Sequence, residues 1–404
     1  MMMKKILSLL LAAIMIFGFT VGLTGCVAGG ARSRDDLPQS TRLDREVVAA
    51  ASARSWAELV SGDAPDAAAQ APAAVAAAEP DETFTFTQAA DGAITFNLKT
   101  QTDAEHPITL GLARFVQEVE ERSEGTLTVN FEYSAGNDGA LLGMVNGNQL
   151  DAAIVTIWSA WQSLNDLANL EALPFIFTNY DEAWAAYEGT LGDWVAANIV
   201  EPAGARSLGI WTNGLRHFTN NVRPIVVPAD MVGLRMRSPQ TTTHLAMYEA
   251  FGSASISMPF GEVFGGLVAG AIDGQDNPLG NIHAARLFEV QRYVSLSSHM
   301  YSAAPLIVST DFWNALSNEQ RQILLESSAV AGRYQGELTR IMEAHQLQEM
   351  EAFGVQVNEV YLAPFISASV QIWEEHMERF GNEFANIASR YVSDPNALVH
   401  RFSD

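Results

Sequence analysis

Two side chains forty positions apart carry the types needed to hold a carboxylate. Arg237 is the second arginine of G-L-R-M-R-S-P, which begins at Gly233, and Asn277 stands in I-D-G-Q-D-N-P, just ahead of Pro278. A guanidinium stays charged at any physiological pH and offers a planar fork of donors that matches two carboxylate oxygens. An amide adds a donor and an acceptor without charge. With each residue at the end of a short strand and both ends facing one space, the pair clamps an organic acid. Taken alone, Arg237 also reads as a strand arginine laying its stem over apolar neighbours.

The surrounding pattern supplies such strands. Ile94, Phe96 and Leu98 alternate, Ile108, Leu112, Phe115, Val116 and Val119 recur at helical spacing, and Leu127, Val129, Phe131 and Tyr133 alternate again. That is a βαβ unit. An apolar patch at 152–157, a helix at 181–187 and a strand at 207–211 follow. After Pro228 the series restarts: strand at 234–237, helix at 241–251, strand at 254–257, helix at 262–271. Two successive βα series predict two α/β lobes, and the nearly unbroken helical stretch 317–353 is long enough, at ~50 Å, to bridge them. The expected fold is α/β, two-lobed and periplasmic-binding-protein-like, each lobe a sheet flanked by helices. Its ligand site lies in the cleft outside the strands' carboxyl ends.

The amino-terminal part is of another kind. A cationic start at residues 1–5, an apolar run at 6–23 and L-T-G-C ending at Cys26 read as an export signal with a lipobox-like end, making Cys26 the acylated first residue of a lipoprotein facing the periplasm or the extracellular side. The alternatives are an unlipidated signal or a retained anchor with a free cysteine. With one cysteine in the chain no intramolecular disulfide forms. Fifteen of the thirty residues 49–78 are alanine, too few large apolar side chains to pack, so 26–83 reads as a tether. The organisation expected is 1–25 signal, 26–83 tether, 84–213 with 303–342 as lobe I, and 214–302 with 343–404 as lobe II.

The formal charge of −24 excludes nucleic acid as a partner and leaves the lipid anchor as the only contact with a membrane. An anionic ligand must then be caught by local cations, which screening over ~8 Å permits.

Four strings in order carry a resemblance: G-I-W-T-N-G-L-R-H-F-T-N from Gly209, G-L-R-M-R-S-P, M-P-F-G-E-V-F from Met258 and D-G-Q-D-N-P from Asp273, with A-L-P-F-I-F-T-N-Y at Ala172 before them. From about Ile94 to about Tyr361 the chain resembles the DctP-type solute-binding subunits of TRAP (tripartite ATP-independent periplasmic) transporters. The resemblance implies that Arg237 holds the substrate carboxylate, that Asn277 hydrogen-bonds it, that Phe260 packs on the ligand and that Arg216 is a second basic contact. Asn213 lies in the same string as Arg216 and reads as a turn-shaping residue. The Asn137-Asp138 turn approximates another family contact, one residue out of register. In the stretch 152–161 the chain has Thr156, Trp158 and Trp161 but no carboxylate, unlike sialic-acid-binding relatives. A keto acid, dicarboxylate, sugar acid or aromatic acid therefore fits better, with Trp158 and Trp211 as its apolar contacts.

Each assignment has a plainer alternative. Phe260 can be core, Arg216 can pair with Asp230 or a similar acid, Gly274 and Pro278 read as turn residues, and Asp273 and Asp276 as solvated or capping acids. No metal-protease, phosphate-loop, dinucleotide or nucleophile-elbow motif is present, so an enzyme is not expected, nor a cofactor or a metal. The reading is a receptor that delivers an organic-acid anion to TRAP membrane subunits. A sensor lipoprotein presenting the ligand to a receptor kinase is the alternative.

Overall fold

The structure, a computed structural model, describes residues 84–388 apart from 157 and 240, with side chains as far as Glu375. Cys26, the signal and the tether lie outside the described residues. The strands are β1 (Thr87–Gln88), β2 (Ile94–Lys99), β3 (Leu127–Glu132), β4 (Ala152–Ile154), β5 (Ala205–Asn220), β6 (Arg235–Ser238), β7 (Ala254–Ser257), β8 (Gly274–Pro278), β9 (Tyr293–Ser309) and β10 (Gln356–Glu359). Helices are α1 (Pro107–Arg122), α2 (Asp138–Asn146), α3 (Trp158–Gln162), α4 (Tyr180–Tyr187), α5 (Thr190–Val195), α6 (Thr242–Ala250), α7 (Val263–Val268), α8 (Leu279–Ala284), α9 (Thr310–Ala315), α10 (Asn318–Phe353) and α11 (Leu362–Ala388).

Both anticipated βα series form. At one end β3, β2 and β4 run parallel, with the alternating Ile94, Phe96 and Leu98 under α1. At the other end β7, β6 and β8 run parallel. What the sequence reading lacked is the joint. The strand expected at 207–211 extends to 205–220, and β9, which was not anticipated, lies antiparallel to it over nearly its whole length. β9 is buried on both faces, so it shows no alternation for a period-two search to find. Together β5 and β9 connect the two strand sets into one ladder of order β1, β2, β4, β9, β5, β8, β6, β7, with β3 on β2 and β10 on β9.

The joint bends. Register shifts between β5 and β9 fall at Ser207/Gly209, Thr212/Gly214 and Arg216/Phe218. Gly214 sits at φ 141°, and a side-chain carbon there would stand 2.7 Å from Pro278 Cβ and 2.8 Å from Glu343 Oε1. Only glycine fits.

The expected bridging helix is present as α10, 36 residues long. Ser317 starts it: its hydroxyl accepts from the Gln320 amide while Gln320 Oε1 accepts from the Ser317 amide. α10 packs on α1 near its start and on α8 near its end, where His283 Nε2 is 2.7 Å from Glu349 Oε2. α11 reaches both strand sets: Phe365 is fully buried against Phe251 and Phe218, and Trp373 donates to the Pro174 carbonyl at 2.8 Å.

One turn expectation is corrected. Gly274 and Pro278 bound β8, a buried strand paired with β5, rather than a turn. Gly274 is needed because a Cβ would lie 2.1 Å from the Thr219 carbonyl oxygen. The glycine thus reports close strand contact, not a reversal.

Candidate functional site

A cavity of about 340 Å³ opens where the two strand sets face each other. That volume is at the lower end of the ~300–1,000 Å³ usual for small-molecule sites. The walls touch: His106 Nδ1 accepts from the Ile108 amide at the start of α1, which leaves Nε2 to donate to Asn281 Oδ1 of α8 at 3.2 Å. Burial lowers the pKa of His106 and keeps it neutral for that bond.

Arg237 enters from the carboxyl end of β6, which Pro239 stops. Its Nε donates to the Met258 carbonyl at 2.9 Å, and the side chain is 4% exposed. Among the described residues the guanidinium makes no ion pair, because Asp276, the acid whose charge it feels, is engaged elsewhere. Burial, then the neighbouring Arg216, pushes its pKa down to about 10, so it stays charged at neutral pH. A buried, unpaired cation facing a cavity calls for an anion.

Asn277 is the last residue but one of β8 and lines the same cavity, its amide nitrogen 2.5 Å from Gln275 Oε1. Phe260 stands at the edge, half-buried, its ring centre 6.0 Å from Arg237 Cζ. Trp158 lines the opposite wall, its indole fixed by the Ala303 carbonyl at 2.8 Å.

Arg216 lines the cavity too, but its charge is spoken for. Its Nε donates to Asp276 Oδ2 at 2.6 Å, and its Nη2 to the Asp276 carbonyl. The partner is not Asp230, whose carboxylate accepts from the Val226 and Val227 amides. Asp276 is fully buried, not solvated, and also accepts from Tyr248 at 2.5 Å and from His299 at 3.2 Å. Burial alone would raise its pKa; Arg216, helped by His244 and His299, outweighs that and holds it well below the usual carboxylate range.

Two expected contacts do not reach the cavity. Trp211 is core: its indole donates to Ser328 Oγ at 3.1 Å, its ring stands edge-on to Phe115, and Gly332 makes room for it on α10. The register shift between Thr212 and Gly214 breaks the alternation of β5, so Asn213 lines the cavity although Trp211, two residues before it, packs in the core. Asn137 caps α2, accepting from the Ala140 amide at 3.0 Å. The signal that placed it near ligand is a helix-start signal.

Glu171 was missed. It closes the cavity beside Ala172, and one carboxyl oxygen accepts from the Ala303 amide. Burial raises its pKa well above the ordinary range. It lies ten residues beyond the acid-free stretch, on a 3-10 turn that brings it back to the site. Asn213 does not shape a turn: it sits within β5 and lines the cavity.

Residues 98–379 match the family model described as bacterial extracellular solute-binding protein, family 7. The chain is 32% identical over 259 residues to the 2,3-diketo-L-gulonate-binding periplasmic protein YiaO of Escherichia coli, covering 64% of this chain and 77% of that protein. It is 28% identical over 215 residues to the C4-dicarboxylate-binding periplasmic protein DctP of Rhodobacter capsulatus, covering 52% of this chain and 64% of that one. Among solved structures it is similar to a TRAP periplasmic solute-binding protein from Polaromonas sp. JS666 bound to D-erythronate, at 26% identity and a TM-score of 0.68, over 73% of this chain and 98% of that chain.

Proposed function

The chain belongs to the DctP family, family 7 of the bacterial extracellular solute-binding proteins, and from that premise we propose that it closes on one organic-acid anion, holding the carboxylate between Arg237 and Asn277. The observation that carries this is the buried guanidinium of Arg237, unpaired among the described residues and turned to the cavity. In a dry site the carboxylate gains a charge-assisted, two-pronged contact that water would otherwise weaken. Phe260 and Trp158 exclude water on either side. Arg216 acts chiefly through Asp276, tying β5 to β8 beneath the ligand.

Of the described residues, lobe I is 84–213 with 303–342, and lobe II is 214–302 with 343–388. The register pair Gly214 and Ser302, beside a β-bulge, favours that division. α11, which contacts both sides, acts as a brace instead of belonging to lobe II alone. Closure bends β5 and β9 at the bulges and brings His106 to Asn281. The loaded protein hands its ligand to TRAP membrane subunits, tethered by lipid on Cys26. Periplasmic relatives favour this over presentation to a receptor kinase.

Thermal unfolding of the purified chain against a panel of organic acids tests the reading. A ligand at 100 times its Kd adds about 2.7 kcal/mol of stability. A shift that Arg237→Ala removes is the expected result; a shift that survives the substitution refutes the clamp.

A further inference from the structure

Among the described residues the cavity has one unmatched arginine. The cations lining it are Arg216 and Arg237, and Arg216 is already matched by Asp276. One cation, Arg237, is left without an acid paired to it, enough for one carboxylate. The acids lining it, Asp103 and Glu171, add none. Whether Glu171 is neutral or ionised, it offers a second carboxylate no compensation. Of the cations close in sequence to the lining, Lys99 is bound to Glu132 at 2.7 Å and Arg286 to Glu289.

Away from Arg237 the walls carry polar atoms that want partners. Asn213 Oδ1 is buried and unpartnered among the described residues, although its amide nitrogen donates to the Thr156 carbonyl and to Ser302. Both polar atoms of the Gln162 side chain are likewise unpartnered. Glu171 has one oxygen on the Ala303 amide and none of the described residues on the other. Buried polar groups cost free energy until they are hydrogen-bonded. Acceptors at Asn213, Gln162 and Glu171 with a donor at Gln162 match hydroxyl groups, which give and take one bond each.

We propose that the ligand is a hydroxylated monocarboxylate: its carboxylate takes Arg237 and Asn277, its hydroxyls are read by Asn213, Gln162 and Glu171, and dicarboxylates are rejected. This rests on the carboxylate clamp above and narrows it to a substrate class. A second carboxylate in place of a terminal hydroxymethyl is buried without a cation.

Matched pairs that differ only at the terminal carbon test it: D-erythronate against meso-tartrate, D-gluconate against D-glucarate, D-galactonate against galactarate. Calorimetric titration of the full chain at neutral pH is expected to find a binding monocarboxylate whose diacid twin is at least about 100-fold weaker. Gln162→Leu is expected to weaken the binding acid about tenfold without lowering the melting temperature of the empty protein, since its polar atoms have no partner there to lose. A twin that binds as tightly as its monocarboxylate, succinate binding in place of every hydroxy acid, or unchanged affinity in Gln162→Leu overturns the proposal. If Arg237→Met abolishes binding in those cases, the clamp stands and only the substrate class falls. Binding that Arg237→Met leaves intact, or no binding by any acid, overturns the clamp and this inference together.

Discussion

Replacing Arg237 by methionine is expected to stabilise the empty protein and to abolish acid binding. The guanidinium sits 4% exposed, with a like charge nearby and one carbonyl for a partner. The drop of its pKa to about 10 puts the cost of keeping that charge at about 3 kcal/mol, at ~1.4 kcal/mol per tenfold. Methionine is unbranched and fits a site shaped for an arginine stem. The loss of the bond to the Met258 carbonyl returns about 1 kcal/mol, so a net gain of about 1–2 kcal/mol is left. Removing one partner of a desolvated charge pair costs binding about 2–5 kcal/mol, roughly 30- to 5,000-fold in Kd. Urea denaturation of the empty protein gives the first quantity and calorimetric titration with the acid found in the panel gives the second. A variant less stable than its parent when empty, or one that keeps its Kd within about threefold, refutes the argument that function here is stored as an unpaired buried charge.

Glu343 gives a pH dependence with a definite sign. It is buried on α10 against the Gly214 bulge, accepts from Tyr180 at 2.6 Å, and burial pushes its pKa up to about 8 from an ordinary value near 4.5. The unfolded chain ionises it first, so stability is lost as pH rises from about 4.5 to about 8, by at most ~1.4 kcal/mol per unit. Glu343→Gln keeps the acceptor for Tyr180 and is expected to flatten that slope in urea titrations between pH 5 and 9; an unchanged slope sinks the assignment. Trp211→Ala is expected to cost about 3–5 kcal/mol of stability as a core truncation, while a chain that still folds keeps its ligand affinity; a selective loss of affinity in denaturation and titration experiments returns Trp211 to the site.

How far the sequence reaches is clearest at particular residues. Arg237 and Asn277 were legible because strand ends and motif spacing are local properties, and the strands at β6 and β7 follow from alternation over a few residues. α10 was legible from its length and its Ser317 cap. Trp211 and Trp158 are alike in the sequence, two tryptophans near the motifs, and only the fold sends one, in β5, into the core and the other, at the start of α3, to the cavity. Asp276 looked like one more acid in an acidic chain, yet folding encloses it with Arg216, Tyr248 and His299.

The sequence by itself determined the class of fold, the family and the pair Arg237 and Asn277 proposed as the carboxylate clamp, because each depends on residue types at fixed short spacings. The tertiary structure decided that Arg216 is spent on Asp276, that Glu171 and Asn213 line the cavity and that β9 joins the two halves. Those facts depend on which distant groups share a dry space. There, pairing and burial set the charge that remains for a ligand, and no short spacing in the chain records it.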